Sequence, residues 1–193
     1  MTYEWETREA TEKHQQRVAG RPSFEAINLL YATSLALRST CRRLAVGCVI
    51  VSPDFQSVYS AGYNGNARGL PNDCDVVGDA AVGGCGCIHA EANAITKCGV
   101  PHTTPKTVIT THSPCMACAK LLIQLEGVQR VVYAEEYRLT ASLDMLRQEH
   151  IVVERWPRDA LALVDGRALS LIDDARRQLV EDWRRMGPGV TRP

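Results

Sequence analysis

From Ile88 to Trp156 the sequence alternates between helical and extended patterns, and this alternation constrains the fold more than any other feature. "HAEANAITKC" (89 to 98) has helical spacing and is stopped by Gly99 and Pro101. "KTVITTHS" is expected as a strand. "PCMACAKLLIQLEG" is expected as a helix, with Pro114 in its first turn and Gly127 after its end. "VQRVVYAE" is the next strand, roughly Thr140 to His150 a helix, and "IVVERW" a last strand. Strand–helix–strand units of this spacing predict parallel strand pairs with helices covering the sheet.

Upstream, Ser23 is placed to cap a helix running to about Ser39. Ala26, Leu29, Leu30, Thr33 and Leu37 share one of its faces, the spacing of core packing. "AVGCVIV" (45 to 51) and "SVYSAGY" (57 to 63) are strand candidates, and the short "SPDFQ" between them predicts a hairpin. "NGNARGLPNDCDVVGDAAVGGCGC" then has no periodicity. A segment of that kind inside a compact domain points to function, metal or disorder. Residues 1–22 are expected as a polar N-terminal arm, 23–157 as the catalytic domain, and 158–193 as a helical C-terminal extension.

Twenty-two Lys plus Arg balance twenty-two Asp plus Glu, so no bulk positive charge draws the chain to nucleic acid or an anionic membrane. A small-molecule partner is expected instead. The N-terminus lacks the apolar core of a signal peptide, and no run of about 18 apolar residues exists to span a membrane. A reducing cytoplasm follows as the expected location. There the eight cysteines are thiols or metal ligands rather than disulfides.

Three residues at two helix entrances have the chemistry of a zinc site. His89 opens one helix, while Cys115 and Cys118 lie at i, i+3 at the start of another. The helix dipole favours the thiolates that bind metal. Three ligands leave a fourth position open, which marks a catalytic site rather than a closed structural one. Glu91, two residues past the histidine, is placed to exchange protons with a metal-activated water. His89-Ala90-Glu91 followed by Pro114-Cys115-Met116-Ala117-Cys118 is the signature of zinc-dependent deaminases. A lone "HAE" would carry little weight, and a lone Cys-x-x-Cys could be redox-active. Their order and placement carry the assignment.

The resemblance extends further. "RSTCRRLAVGCVIV", "SAGYNGNARGLP", "IHAEANAI" and "SPCMACAKLLIQLEGVQRVVYAEEY" together resemble the deoxycytidylate (dCMP) deaminase family of the cytidine deaminase-like superfamily, over roughly residues 24–155. The resemblance implies an α/β fold: a three-layer α/β/α cytidine deaminase-like arrangement around a mixed five-stranded sheet. It implies hydrolysis of dCMP to dUMP, with effectors dCTP and dTTP, a homohexamer, and host cytoplasm if the source is viral. It places Asn64 near the sugar, Tyr137 near the nucleotide, and backbone groups at Ala90 and Ser113 around the ring. Arg38, Arg42, Arg43 and Arg68 are candidates for the 5′-phosphate, since guanidinium pairs well with phosphate oxygens. The family commonly has proline where this chain has Ala67, which puts the local loop shape in question.

Cys48 and Cys98 fit small buried positions in a strand and near a helix end. Some family members hold a second, structural zinc near the irregular segment. Cys41, Cys74, Cys85 and Cys87 are the candidate ligands here, with Asp79 able to replace one of them. Free thiols in the loop are the alternative. Two other readings of the whole chain stay open: the same chemistry on a modified dCMP, on dCTP or on a base in nucleic acid, and a non-catalytic zinc-stabilised binding protein. Glu91 favours an enzyme, because a purely structural zinc does not need it.

Overall fold

The computed structural model describes residues 22–72, 85–137 and 140–156, with six further helical positions between 174 and 185. Helix α1 (Phe24–Ala36) starts where the sequence predicts. The Ser23 hydroxyl caps it, accepting a hydrogen bond from the Ala26 amide at 3.1 Å. It ends short of Ser39, because Leu37, Arg38 and Ser39 donate to carbonyls three residues back and tighten the last turn. Its buried face is Ala26, Leu29, Ala32, Thr33 and Ala36. Leu30 and Leu37 of the expected stripe are only half-buried. Small residues hold this face because Gly47 lies directly beneath it. A Cβ on Gly47 would stand 1.8 Å from the Ala32 carbonyl oxygen.

Strands β1 (Gly47–Val51) and β2 (Val58–Tyr63) form the expected antiparallel hairpin. Helices α2 (Ala90–Thr96), α3 (Met116–Gln124) and α4 (Ala141–Gln148) alternate with strands β3 (Lys106–His112), β4 (Val128–Glu135) and β5 (Val152–Arg155). The five strands form one sheet in the order β2-β1-β3-β4-β5. β3, β4 and β5 are parallel, as the alternation predicts, while β1 pairs antiparallel with β3.

Side-chain alternation along the strands builds one core on each face of the sheet. Cys48, Ile50, Val108, Val131 and Tyr133 pack with Ala90, Ala94, Ala119, Leu122, Leu143 and Leu146 of α2, α3 and α4. Their neighbours Val49, Val51, Ile109 and Val132 pack with Leu29 and Ala32 of α1. The result is the α/β/α architecture. Each fully buried Leu or Ile side chain contributes about 1.5–3 kcal/mol. β3 is buried at every position, so the segment that leaves its C-terminal end starts from a firmly held strand.

Lys106, at the other end of β3, is fully buried. Its ammonium donates to the Pro101, His102 and Thr104 carbonyls at 3.0, 2.6 and 2.6 Å, tying down the α2–β3 connection. Residues 1–21 of the expected arm, Cys74, Asp79 and most of 158–193 lie outside the described residues. Among the described residues no helix is long and apolar enough to cross a membrane.

Candidate active site and metal centre

The site is built where α2 and α3 begin, beside the C-terminal end of β3. His89 and Cys115 are the N-caps of the two helices, both with extended backbone (φ −72°, ψ 157° and φ −71°, ψ 171°). Neither side chain caps its own helix, and the two converge instead. His89 Nδ1 stands 3.3 Å from Cys115 Sγ and 3.3 Å from Cys118 Sγ. All three donor atoms lie within 4.8 Å of one another. Ligands of a tetrahedral zinc with ordinary Zn–S and Zn–N lengths stand about 3.5–3.8 Å apart. One imidazole nitrogen and two sulfurs at this spacing therefore fit zinc, with one coordination position left over.

The three groups already divide charge among themselves. The Cys118 thiol, donating to Cys115, is the main reason that Cys115 falls to about 3. Cys118 itself is raised, first by that hydrogen bond and then by burial. His89 rises to about 9, chiefly through its hydrogen bond to Cys115. A thiolate held between two protonated neighbours is a pocket that a divalent cation enters by displacing protons.

Glu91 lies on the first turn of α2 and is only 4% exposed. Burial raises its pKa, and a backbone hydrogen bond and the nearby His89 work in the opposite direction. A buried carboxyl two residues from a metal ligand, outside the ligand set, is suited to proton transfer. Gly62 brings α2 down onto β2. A Cβ there would stand 2.4 Å from the Ala90 carbonyl oxygen and 2.6 Å from the Ala94 nitrogen. Asn93 fastens the same helix by donating to the Tyr63 carbonyl at 2.9 Å.

The loop from β3 to α3 is held at consecutive residues. The Ser113 amide donates to the Glu135 carbonyl at 2.8 Å, and the Ser113 hydroxyl accepts from the Tyr137 amide at 2.7 Å. The Ser142 hydroxyl, from α4, donates to the Pro114 carbonyl at 2.7 Å. Ser113 and Tyr137 are thus joined. Ala90 is fully buried.

Asn64 is 5% exposed and works as a clamp. Its oxygen accepts from the Val46 amide at 2.8 Å and its nitrogen donates to the Leu44 carbonyl at 2.7 Å. An amide has one further hydrogen and one further lone pair for a sugar hydroxyl. Arg42 is buried, Arg43 half-buried, and Arg38 and Arg68 exposed. At the Ala67 position the loop is shaped by its neighbour, with the Ala67 amide donating to the Asn66 side chain at 2.8 Å.

A second cluster brings together Cys41, Cys85 and Cys87, whose sulfurs also lie within 4.8 Å of one another. Cys41 and Cys85, far apart in sequence, approach to 3.4 Å. Three thiols at this spacing fit zinc as well, by the same tetrahedral measure. Cys48 is fully buried and Cys98 half-buried, in line with packing roles. The sequence reading missed Asn93 and Ser142. Both act on backbone carbonyls of distant segments, and no local motif signals such a contact.

The sequence and the fold have known counterparts. Residues 26–135 match the family model described as the cytidine and deoxycytidylate deaminase zinc-binding region. The chain is 37% identical over 135 residues to ComE operon protein 2 of Bacillus subtilis (strain 168), covering 66% of this chain and 68% of that protein. It is 36% identical over 128 residues to the deoxycytidylate deaminase of Mycobacterium phage D29, covering 60% of this chain and 98% of that protein. Among solved structures it is similar to the dCMP deaminase of cyanophage S-TIM5 in complex with dCMP and dUMP. That match has a TM-score of 0.60 and 31% identity, over 67% of this chain and 94% of the other. The chain therefore belongs to the cytidine and deoxycytidylate deaminase family, whose zinc-binding region it carries from residue 26 to residue 135.

Proposed function

We propose that this chain hydrolyses dCMP to dUMP, taking up water and releasing ammonia. The observation that carries the reading is the approach of His89 Nδ1 to both sulfurs at 3.3 Å, with Glu91 buried beside Cys118. His89, Cys115 and Cys118 would hold zinc, which when bound supplies Lewis acidity and lowers the pKa of water at neutral pH. Glu91 takes a proton from the attacking water and delivers it to ring N3 as C4 is attacked. The carboxylate then takes the second proton, from the new C4 hydroxyl, and delivers it to the departing amine, leaving C4 as the carbonyl of dUMP. Its dry surroundings keep the proton from exchanging with bulk solvent.

Backbone groups at Ala90 and Ser113 orient the amino group and ring. Tyr137 lies alongside the nucleotide, and Asn64 receives the 3′-hydroxyl with its remaining hydrogen-bonding capacity. Arg38, Arg42, Arg43 and Arg68 remain the candidates for the 5′-phosphate. Residues 23–157 carry the catalysis, with 1–22 and 158–193 as accessory segments. Cys41, Cys85 and Cys87 hold a structural zinc, with Cys74 as the fourth ligand. Family membership supports a cytoplasmic homohexamer that responds to dCTP and dTTP. Ammonia release measured with dCMP, dCTP, 5-substituted dCMP and cytosine-containing oligonucleotides tests the reading. Fastest turnover of dCMP is expected; a zinc-loaded protein that releases no ammonia from any of them would overturn it.

A further inference from the structure

We infer that Ser142 is a positioning residue for the metal centre, acting through the loop that delivers Cys115. The proposal rests on the reading of Cys115 as a zinc ligand. Cys115 is the N-cap of α3, and its side chain turns to His89 and Cys118 instead of capping its own helix. Its position is set by the two residues before it. Ser113 is tied on both its amide and its hydroxyl to the end of β4 and the residues just beyond. The Pro114 nitrogen cannot donate at all. Its carbonyl lies before the first intrahelical acceptor of α3, which is Cys115 itself, bonded by the Ala119 amide. Ser142 supplies the donor, at 2.7 Å from a residue 28 positions away.

The placement of Ser142 explains why this bond can set geometry. Its side chain is fully buried on the first turn of α4. The adjoining Leu143 seats that first turn in the core, and Leu146 packs the turn after it. The hydroxyl is thus a fixed point of the scaffold, one residue from a sulfur that must meet His89 and Cys118. Hydrogen bonds behind a metal ligand orient it, and their loss typically costs 10–100-fold in metal affinity or activity.

The test compares Ser142→Ala, Ser142→Thr and Ser142→Cys in the full chain. Zinc retention against a chelator, the absorption spectrum after cobalt replacement, and kcat and KM for dCMP are all read. Ser142→Ala should lose catalytic zinc about 10–100 times faster and lower kcat by about tenfold, with KM changed less than about twofold. Threonine keeps the hydroxyl and should restore both. Cysteine, a weaker donor of similar volume, should fall between, and it carries the test if the alanine variant does not fold. Leu146→Ala serves as a control for general destabilisation of α4. It should lower the melting temperature yet leave zinc retention and the cobalt spectrum unchanged. Wild-type zinc retention and kcat in both Ser142→Ala and Ser142→Cys, or equal losses in Leu146→Ala, would overturn the proposal. Failure of the underlying reading shows separately, as a Cys115→Ala variant that keeps the full complement of zinc.

Discussion

Glu91 and its neighbours do their chemistry as individual side chains, and the sharpest expectations lie with them. Glu91→Gln keeps the volume and the buried position but removes the exchangeable proton. It should retain zinc and fold while turnover disappears. A variant with even a tenth of the wild-type rate in an ammonia-release assay would remove Glu91 from its assigned role. A second expectation concerns metal binding and pH. Without metal, His89 is raised to about 9 and Cys118 is raised as well, so both carry protons at neutral pH, while Cys115, at about 3, does not. Zinc must displace about two protons, and its affinity should therefore fall about 100-fold for each pH unit lost below neutrality. Calorimetric titration in buffers of different ionisation enthalpy counts those protons directly; a pH-independent affinity would contradict the shared charge. These four residues were legible in the sequence because their spacing and order follow directly from ligand chemistry. Asn64 was legible only in part. The family resemblance placed it near the sugar, whereas its side chain also holds Leu44 and Val46. That contact bridges segments some twenty residues apart, and local pattern carries no record of it.

At the scale of elements, the site depends on α2 lying directly against β2, and Gly62 permits that approach. Gly62→Ala forces a Cβ against the backbone of Ala90 and Ala94, which no side-chain rotation can relieve. Overpacking of this kind costs about 1–3 kcal/mol, and here the displaced element carries both His89 and Glu91. The variant should melt at a lower temperature and also lose zinc more readily to a chelator. A drop in melting temperature with unaltered zinc retention would show that α2 moves independently of its first turn. The helices and strands from Ile88 to Trp156 were legible because each has a clear period and a clear stop, as with Gly127 after α3. The buried face of α1 was read less well. Hydrophobicity favoured Leu30 and Leu37, while the backbone of Gly47 selects Ala32 and Ala36 by closeness of approach. The antiparallel pairing of β1 with β3 is likewise a tertiary fact. It joins strands separated by the irregular segment, and neither strand's own sequence states it.

For the whole molecule, the question is what joins the irregular stretch to the catalytic centre. Cys87 is separated from His89 only by Ile88. Ile88 and Gly65 exchange backbone hydrogen bonds at 2.8 and 3.1 Å. Cys41 adjoins Thr40, whose amide donates to the Asn64 carbonyl at 3.3 Å. The second thiol cluster therefore braces both the entry to α2 and the segment that holds Asn64. A metal there would supply cohesion that a glycine-rich stretch cannot obtain from a core. Purified protein is expected to contain two zinc ions per chain. Cys41→Ser should retain one, since His89, Cys115 and Cys118 are intact. Binding of zinc to the folded state alone stabilises it by mass action, so this variant should melt well below the wild type. Its kcat should suffer less than its KM, because the catalytic ligands stay in place while the Asn64 segment loosens. Metal analysis and steady-state kinetics on the same preparation decide the matter. A Cys41→Ser protein with full zinc, or one whose loss falls entirely on kcat, would break the link between the second cluster and substrate binding.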